Sequence, residues 1–217
     1  VGEGLVRRSV QASVVALGAA IVLLPSSVGR HEAPRATLPD SPPPAMHRPV
    51  DPLTAQVLDR MPSLDIDAAA ALAAVVRVES EAAGLDPVLV MAVIGVESAW
   101  APAAVSERGA RGLMQMRRVT LAGEERHAGL APGDVHEPVH NVRMGIRYLA
   151  RMIEVFGDED LGLIAYNTGP TRLSSYVQAV GEVPDSLWSY VRKVRREERK
   201  LRREMLHAEV LVAAAAR

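Results

Sequence analysis

Residues 88–100 read VLVMAVIGVESAW, an apolar run that carries one carboxylate, Glu97, near its end. An acid held against an apolar wall keeps its proton to higher pH, because loss of water disfavours the charged form. It can then donate that proton near neutrality. A helix C-terminus close by would push the same way, through its negative dipole end. The competing reading is a glutamate at a frayed helix end, turned to water, since exposed or paired acids outnumber buried ones. A second string, His136-Glu137-Pro138-Val139-His140, matches the H-E-x-x-H pattern of zinc peptidases. That chemistry needs both histidines on one face of a continuous helix, with the glutamate as base. Pro138 is disfavoured inside a helix and welcome at its start, and the preceding APGDV is not helical. A helix that begins at Pro138 leaves His136 outside, so no metal is expected, and the other histidines have no ligand spacing. The chain has no cysteine, which excludes disulfides and thiol chemistry.

The elements that must position Glu97 are mostly helices. Asp86-Pro87 supplies an N-cap and a proline at the first helical position, which predicts a helix from about 87 to about 99. Val90, Val93, Ile94 and Glu97 then share one face by three- and four-residue spacing. A strong helix precedes it over 65–85, closed by Gly84, and a glycine-marked loop over 101–117 follows it, with room for a small strand or turn. Further helices are predicted at about 118–128, from Pro138 to a stop at Gly157, over DEDLGLIAYN to Gly169-Pro170, over RLSSYVQAV, and from Pro184-Asp185 into the tail. Hydrophobic residues make up 48% of the 217 but aromatics only 3%, so the core must be Ala, Val, Leu, Ile and Met, a mixture that favours helix over strand. The fold class expected is all-α: a compact bundle of short helices with a small irregular or β-turn insert after the helix of Glu97. The net charge of −1 points to no nucleic-acid partner.

Several short pieces recur in a telling order. Glu97-Ser98 is followed by Ala104-Val105-Ser106, then by Gly109-Ala110-Arg111-Gly112-Leu113-Met114-Gln115. Asn141-x-x-x-Gly145-x-x-Tyr148-Leu149, Ala165-Tyr166-Asn167-x-Gly169-Pro170 and Tyr190-Val191 come after. Over roughly residues 70–195 this set resembles the soluble lytic transglycosylase domain, a lysozyme-like fold. The resemblance implies cleavage of the β-1,4 bond from N-acetylmuramic acid to N-acetylglucosamine in bacterial wall glycan. Glu97 takes the position of the single acid/base, which closes the muramyl C6 hydroxyl on C1 to give a 1,6-anhydro end. An acid of raised pKa suits the oxocarbenium-like transition state, and the intramolecular hydroxyl replaces the second carboxylate of ordinary glycosidases. Glu107, on a loop, reads as a solvated charge.

The resemblance implies substrate contacts for six more residues. Ser106 is implied to reach the sugar N-acetyl region, with a turn-forming serine as the alternative. Met114 and Gln115 are implied to line the cleft, Gln115 by hydrogen bonding and Met114 by apolar contact, core packing being an equal reading for Met114. Tyr166 and Asn167 resemble the pair that faces the acid, and a tyrosine hydroxyl there could orient Glu97. Tyr190 resembles a second cleft tyrosine, although a lone tyrosine would read as core. Gly109 and Gly112 permit a tight chain path beside the cleft, while Asn141 and Tyr148 read as a loop-bonding amide and a core aromatic. Two positions depart from the family's habit: Met116-Arg117 stands where a proline is usual, and Thr168 where alanine is usual.

Four segments are expected. Residues 1–29, with Arg7-Arg8 ahead of an uncharged apolar run over 10–28, have the layout of an export signal or an N-terminal membrane anchor. Residues 30–63 read as a proline-rich linker, 64–195 as the enzymatic domain, and 196–217 as a basic helical tail. The tail is either a solvated helix with internal ion pairs or a contact for an anionic surface. The implied setting is the periplasm or cell envelope, the substrate is peptidoglycan glycan strands, and envelope-spanning machinery is a candidate partner. A monomer without cofactor is expected. Two other readings stand beside this one: a hydrolytic muramidase on the same fold, which would need a positioned water and a second carboxylate, and a noncatalytic glycan-binding module.

Overall fold

The computed structural model describes residues 50–180 and 182–215. Among them are eight helices and one two-stranded antiparallel sheet: α1 (Pro52–Arg60), α2 (Ile66–Ala82), α3 (Pro87–Ser98), β1 (Ala110–Arg111), β2 (Met116–Arg117), α4 (Arg118–His127), α5 (Pro138–Phe156), α6 (Glu159–Thr168), α7 (Pro170–Val180) and α8 (Asp185–Ala215). The all-α expectation holds, and the insert after α3 carries the small sheet.

Local signals in the sequence place most of the ends. Asp65, Asp86 and Asp158 cap α2, α3 and α6, each accepting a backbone N–H of the first turn. Glu137 does the same for α5 ahead of Pro138. Gly84 and Gly157 end α2 and α5 in the left-handed conformation.

Packing explains the rest. The helix α3 lies between α2 and α8, while α5 packs on α2 and α6. Every residue of α3 from Val88 to Ile94 is buried. The single apolar face expected for Val90, Val93 and Ile94 is therefore too narrow a description, because neighbours cover this helix on all sides, as its uniform hydrophobicity requires. Around it Leu72 and Val76 of α2, Met144 and Leu149 of α5, Leu163 of α6 and Val194 of α8 complete a core that is almost wholly aliphatic.

Two of the expected segment boundaries differ from the structure. The stretch read as linker, 30–63, contains α1. Asp51 caps it, and Leu53, Val57 and Met61, four residues apart, are buried against the domain. The prolines around it obscure a helix that packing secures. The boundary drawn between 195 and 196 falls inside α8, whose Leu201 is fully buried; the basic composition belongs to one side of a helix whose other side is core. The apolar run over 10–28 and the linker up to 49 lie outside the described residues. Among the described residues no helix is long and apolar enough to cross a membrane.

Candidate active site

Glu97 stands in the last turn of α3, at the negative end of that helix. The next two residues, Ala99 (φ 49°) and Trp100 (φ 66°), are both left-handed without being glycine. Such geometry costs on the order of 1–3 kcal/mol per residue and persists only where the surroundings enforce it. Here Trp100 is buried, and the double turn leads the chain sharply away from α3 just beyond the carboxylate.

Burial pushes the Glu97 carboxyl up to about 6, and a hydrogen bond from Tyr190 pulls the other way. That bond crosses from α8: the Tyr190 hydroxyl donates to Glu97 Oε1 at 2.6 Å. Burial first, and then the charge of Glu97, hold the hydroxyls of Tyr190 and Tyr166 well above the ordinary tyrosine range. Both therefore remain donors. Since the Tyr190 bond lowers the pKa of Glu97, Tyr190→Phe should move the Glu97 midpoint upward from about 6. A carboxyl-detected NMR titration of the two proteins checks this, and an unmoved midpoint would mean that the bond is not made in solution.

The carboxylate opens into a cleft of about 430 Å³, whose lining includes Ser106, Gln115, Met116, Tyr166 and Asn167. Glu97 is its single carboxylate among the described residues. The hairpin of β1 and β2 forms one wall, and the start of the α6–α7 junction forms another. Ser106 Oγ accepts the Ala110 N–H at 3.0 Å, so the serine shapes the turn and still reaches the cleft. Gln115, itself left-handed at φ 48°, donates from Nε2 to the carbonyls of Ala104 and Gly112. Its amide oxygen is then the group left to meet a ligand. Asn167 is exposed at the cleft mouth.

Three sequence expectations shift. Tyr166 lines the cleft, but its hydroxyl donates to the Met114 carbonyl at 2.6 Å; the tyrosine that holds Glu97 is Tyr190. Met114 is fully buried and its side chain fills the space that a Cβ on Gly145 would take, so it is core, and Met116 forms the apolar cleft wall in its place. Tyr148, read as a core aromatic, lines the cleft with its ring 5.4 Å from that of Tyr166. A signal for it existed: Asn141, Gly145 and Tyr148 are spaced four and three apart, so the face of α5 that meets the hairpin continues to Tyr148. Arg108 and Arg117, which also line the cleft, carried no such signal.

Asn141 is the loop-bonding amide expected. Fully buried, it accepts the Met114 N–H at 2.8 Å and donates to the carbonyls of Arg111 (3.0 Å) and Val135 (2.8 Å). Gly112 makes this possible: at φ +78° a Cβ there would collide with the Asn141 amide and with Val135 O. The H-E-x-x-H residues are separately engaged. His136 precedes α5 and sits 3.2 Å from Arg111 Nη1, Glu137 caps the helix, and His140 Nε2 lies 2.7 Å from Glu125.

The transglycosylase SLT domain model matches residues 71–189, more than half of the chain. The chain belongs to the transglycosylase SLT domain family. Glu97 and the cleft residues through Asn167 lie within the matched stretch, with Tyr190 one position beyond it. Over 92 residues this SLT domain is 34% identical to the soluble lytic murein transglycosylase of Salmonella typhimurium, covering 40% of this chain and 14% of that protein. It is 37% identical over 75 residues to the endo-type membrane-bound lytic murein transglycosylase A of Citrobacter koseri, covering 32% and 37%. The chain thus spans about a seventh to a third of the length of these relatives. Among solved structures, it resembles an inactive glutamate-to-glutamine mutant of lytic transglycosylase Slt from Pseudomonas aeruginosa at 25% identity and a TM-score of 0.54, covering 61% of this chain and 24% of that one. The 70 kDa soluble lytic transglycosylase of Escherichia coli shares the fold at 24% identity and a TM-score of 0.51, covering 56% and 22%.

Proposed function

We propose that this SLT domain is a lytic transglycosylase that cleaves the N-acetylmuramic acid β-1,4 N-acetylglucosamine bond of peptidoglycan in the cell envelope, with Glu97 as its single acid/base. The observation that carries the reading is Glu97 itself: a carboxyl raised to about 6, held by Tyr190, and the only carboxylate lining its cleft among the described residues. Protonated Glu97 gives its proton to the glycosidic oxygen as the C1–O bond breaks and N-acetylglucosamine leaves. The carboxylate then takes the proton of the muramyl C6 hydroxyl as O6 bonds to C1. The proton given is replaced by the proton taken, and no water is consumed. A retaining or inverting hydrolase would need a second carboxyl group about 5–9.5 Å away, and among the described residues no other carboxylate lines this cleft. Gln115 Oε1, Ser106 and Asn167 supply polar contacts suited to sugar hydroxyl and amide groups, and Met116 with Tyr148 supplies apolar surface for ring faces. Inactivity of a glutamate-to-glutamine mutant in the Pseudomonas neighbour agrees with dependence on one acid.

Mass spectrometry of the soluble products from purified peptidoglycan tests this. Anhydro-muropeptides, one water lighter than hydrolysed ones, are expected. Reducing-end muropeptides would instead assign a muramidase, and glycan binding without release would assign a binding module.

A further inference from the structure

Charge is segregated around α8. Arg192, Arg196, Arg199 and Arg203 are spaced four, three and four residues apart, which places them within about 60° of one another and spreads them over roughly 16 Å of helix. All four are exposed. None makes an ion pair among the described residues; Arg192 reaches only the carbonyl of Asp185, at 3.4 Å. The acids of the same stretch turn elsewhere. Glu198 pairs with Arg195 and Arg202, Glu204 pairs with Arg60 of α1 and with Lys200, and Glu197 lies over Gly95 of α3 and within 3.8 Å of Lys200, all away from the ridge. A solvated helix stabilised by its own ion pairs would place acids beside these arginines. Instead four cations repel one another on one ridge, at a cost that a partner could recover. The same ridge line continues into Leu206 and Val210, 62% and 58% exposed.

We propose that this face of α8 docks on the surface of an anionic lipid bilayer, with the arginines on the headgroups and Leu206 and Val210 seated at the acyl boundary. A linear polyanion would satisfy the arginines and leave the apolar continuation in water, whereas a bilayer interface offers both zones in one plane. Tyr190 lies about 150° around the helix from the ridge, so docking turns the Glu97 side of the domain away from the bilayer. The proposal stands whatever reaction Glu97 performs.

The test is flotation of the full chain with phosphatidylcholine vesicles, with and without phosphatidylglycerol, for wild type, R192Q/R196Q/R199Q/R203Q and the corresponding four-lysine variant. Wild type is expected to partition at least about tenfold better onto the anionic vesicles, since each cation near such a surface is worth about fivefold, and to lose this preference in high salt. The glutamine variant should lose it, while the lysine variant keeps it. Arg7, Arg8 and the apolar run over 10–28 are common to all three proteins, so differences among them report the ridge alone. Equal preference in wild type and glutamine variant, with both folded by circular dichroism, overturns the proposal. So does loss in the lysine variant as complete as in the glutamine variant, and so does a wild type that ignores the anionic lipid.

Discussion

Replacement of Glu97 by glutamine is expected to cut muropeptide release by about a thousandfold or more, because in the proposed reaction one group both delivers and recovers the proton and each such role is typically worth 10²–10⁴. The same substitution should stabilise the fold above pH 6. Burial raises this carboxyl from 4.5 to about 6, so the folded state holds the proton more tightly than the unfolded chain. Below about 4.5 the carboxyl is protonated in both states and contributes no penalty. As pH rises through 4.5 to 6 the unfolded chain ionises first, and native stability falls by about 2 kcal/mol in total. Glutamine never ionises and escapes that loss. Melting curves of the two proteins should therefore coincide near pH 4 and separate at pH 8, with the mutant higher. A constant offset across this range would show that burial is not what raises the acid. An active Glu97→Gln protein would remove Glu97 from the reaction altogether.

Asn141→Ala is expected to be the most damaging substitution for the fold among the residues around the cleft. It removes the partner of the Met114 N–H and of the Arg111 and Val135 carbonyls at once. Each unpaired buried polar group costs about 1–3 kcal/mol, and the vacated volume adds to that, so a loss of about 3–5 kcal/mol follows. For a chain of this size the melting temperature should fall by roughly 10 °C or more. The effect should reach the cleft, since Asn141 holds the turn between β1 and β2 that presents Gln115 and Met116. Denaturant unfolding gives the energy, and amide exchange at Met114 gives the local opening. A loss below about 1 kcal/mol would mean that water replaces the amide without strain, and Asn141 would then not be what positions the hairpin.

The two substitutions illustrate different kinds of information in the chain. The position of Glu97 at a helix end follows from Asp86-Pro87 and from the run of apolar residues between, all local signals. The ordered motifs from Glu97 to Tyr190 were enough to indicate the family that the SLT domain match then showed. Asn141 was readable as a structural amide, because a polar residue on the inner side of an apolar helix must satisfy backbone that has no other partner. Arg108 could not be assigned to the cleft, and Met116-Arg117 stood out only as a departure from the family's habit that could alter cleft shape. They come from two-residue strands and turns, where no helical period predicts direction.

By itself, then, the sequence determined the helices from α2 onward, their caps and stops, the aliphatic core and the place of Glu97 at a helix end, because each depends on residues a few positions apart. Only the tertiary structure decided which tyrosine holds that acid. Tyr166 and Tyr190 differ little as sequence, but α8 brings the Tyr190 hydroxyl to 2.6 Å from Glu97, 93 residues away in the chain, while Tyr166 is drawn to the Met114 carbonyl. Tertiary packing likewise buried Met114 against Gly145 and put Met116 in the cleft, attached α1 to the domain, and carried the core along α8 to Leu201. Such outcomes depend on which helix faces meet, and hydrophobic burial is non-directional: local composition says that a side chain will be covered without saying by what.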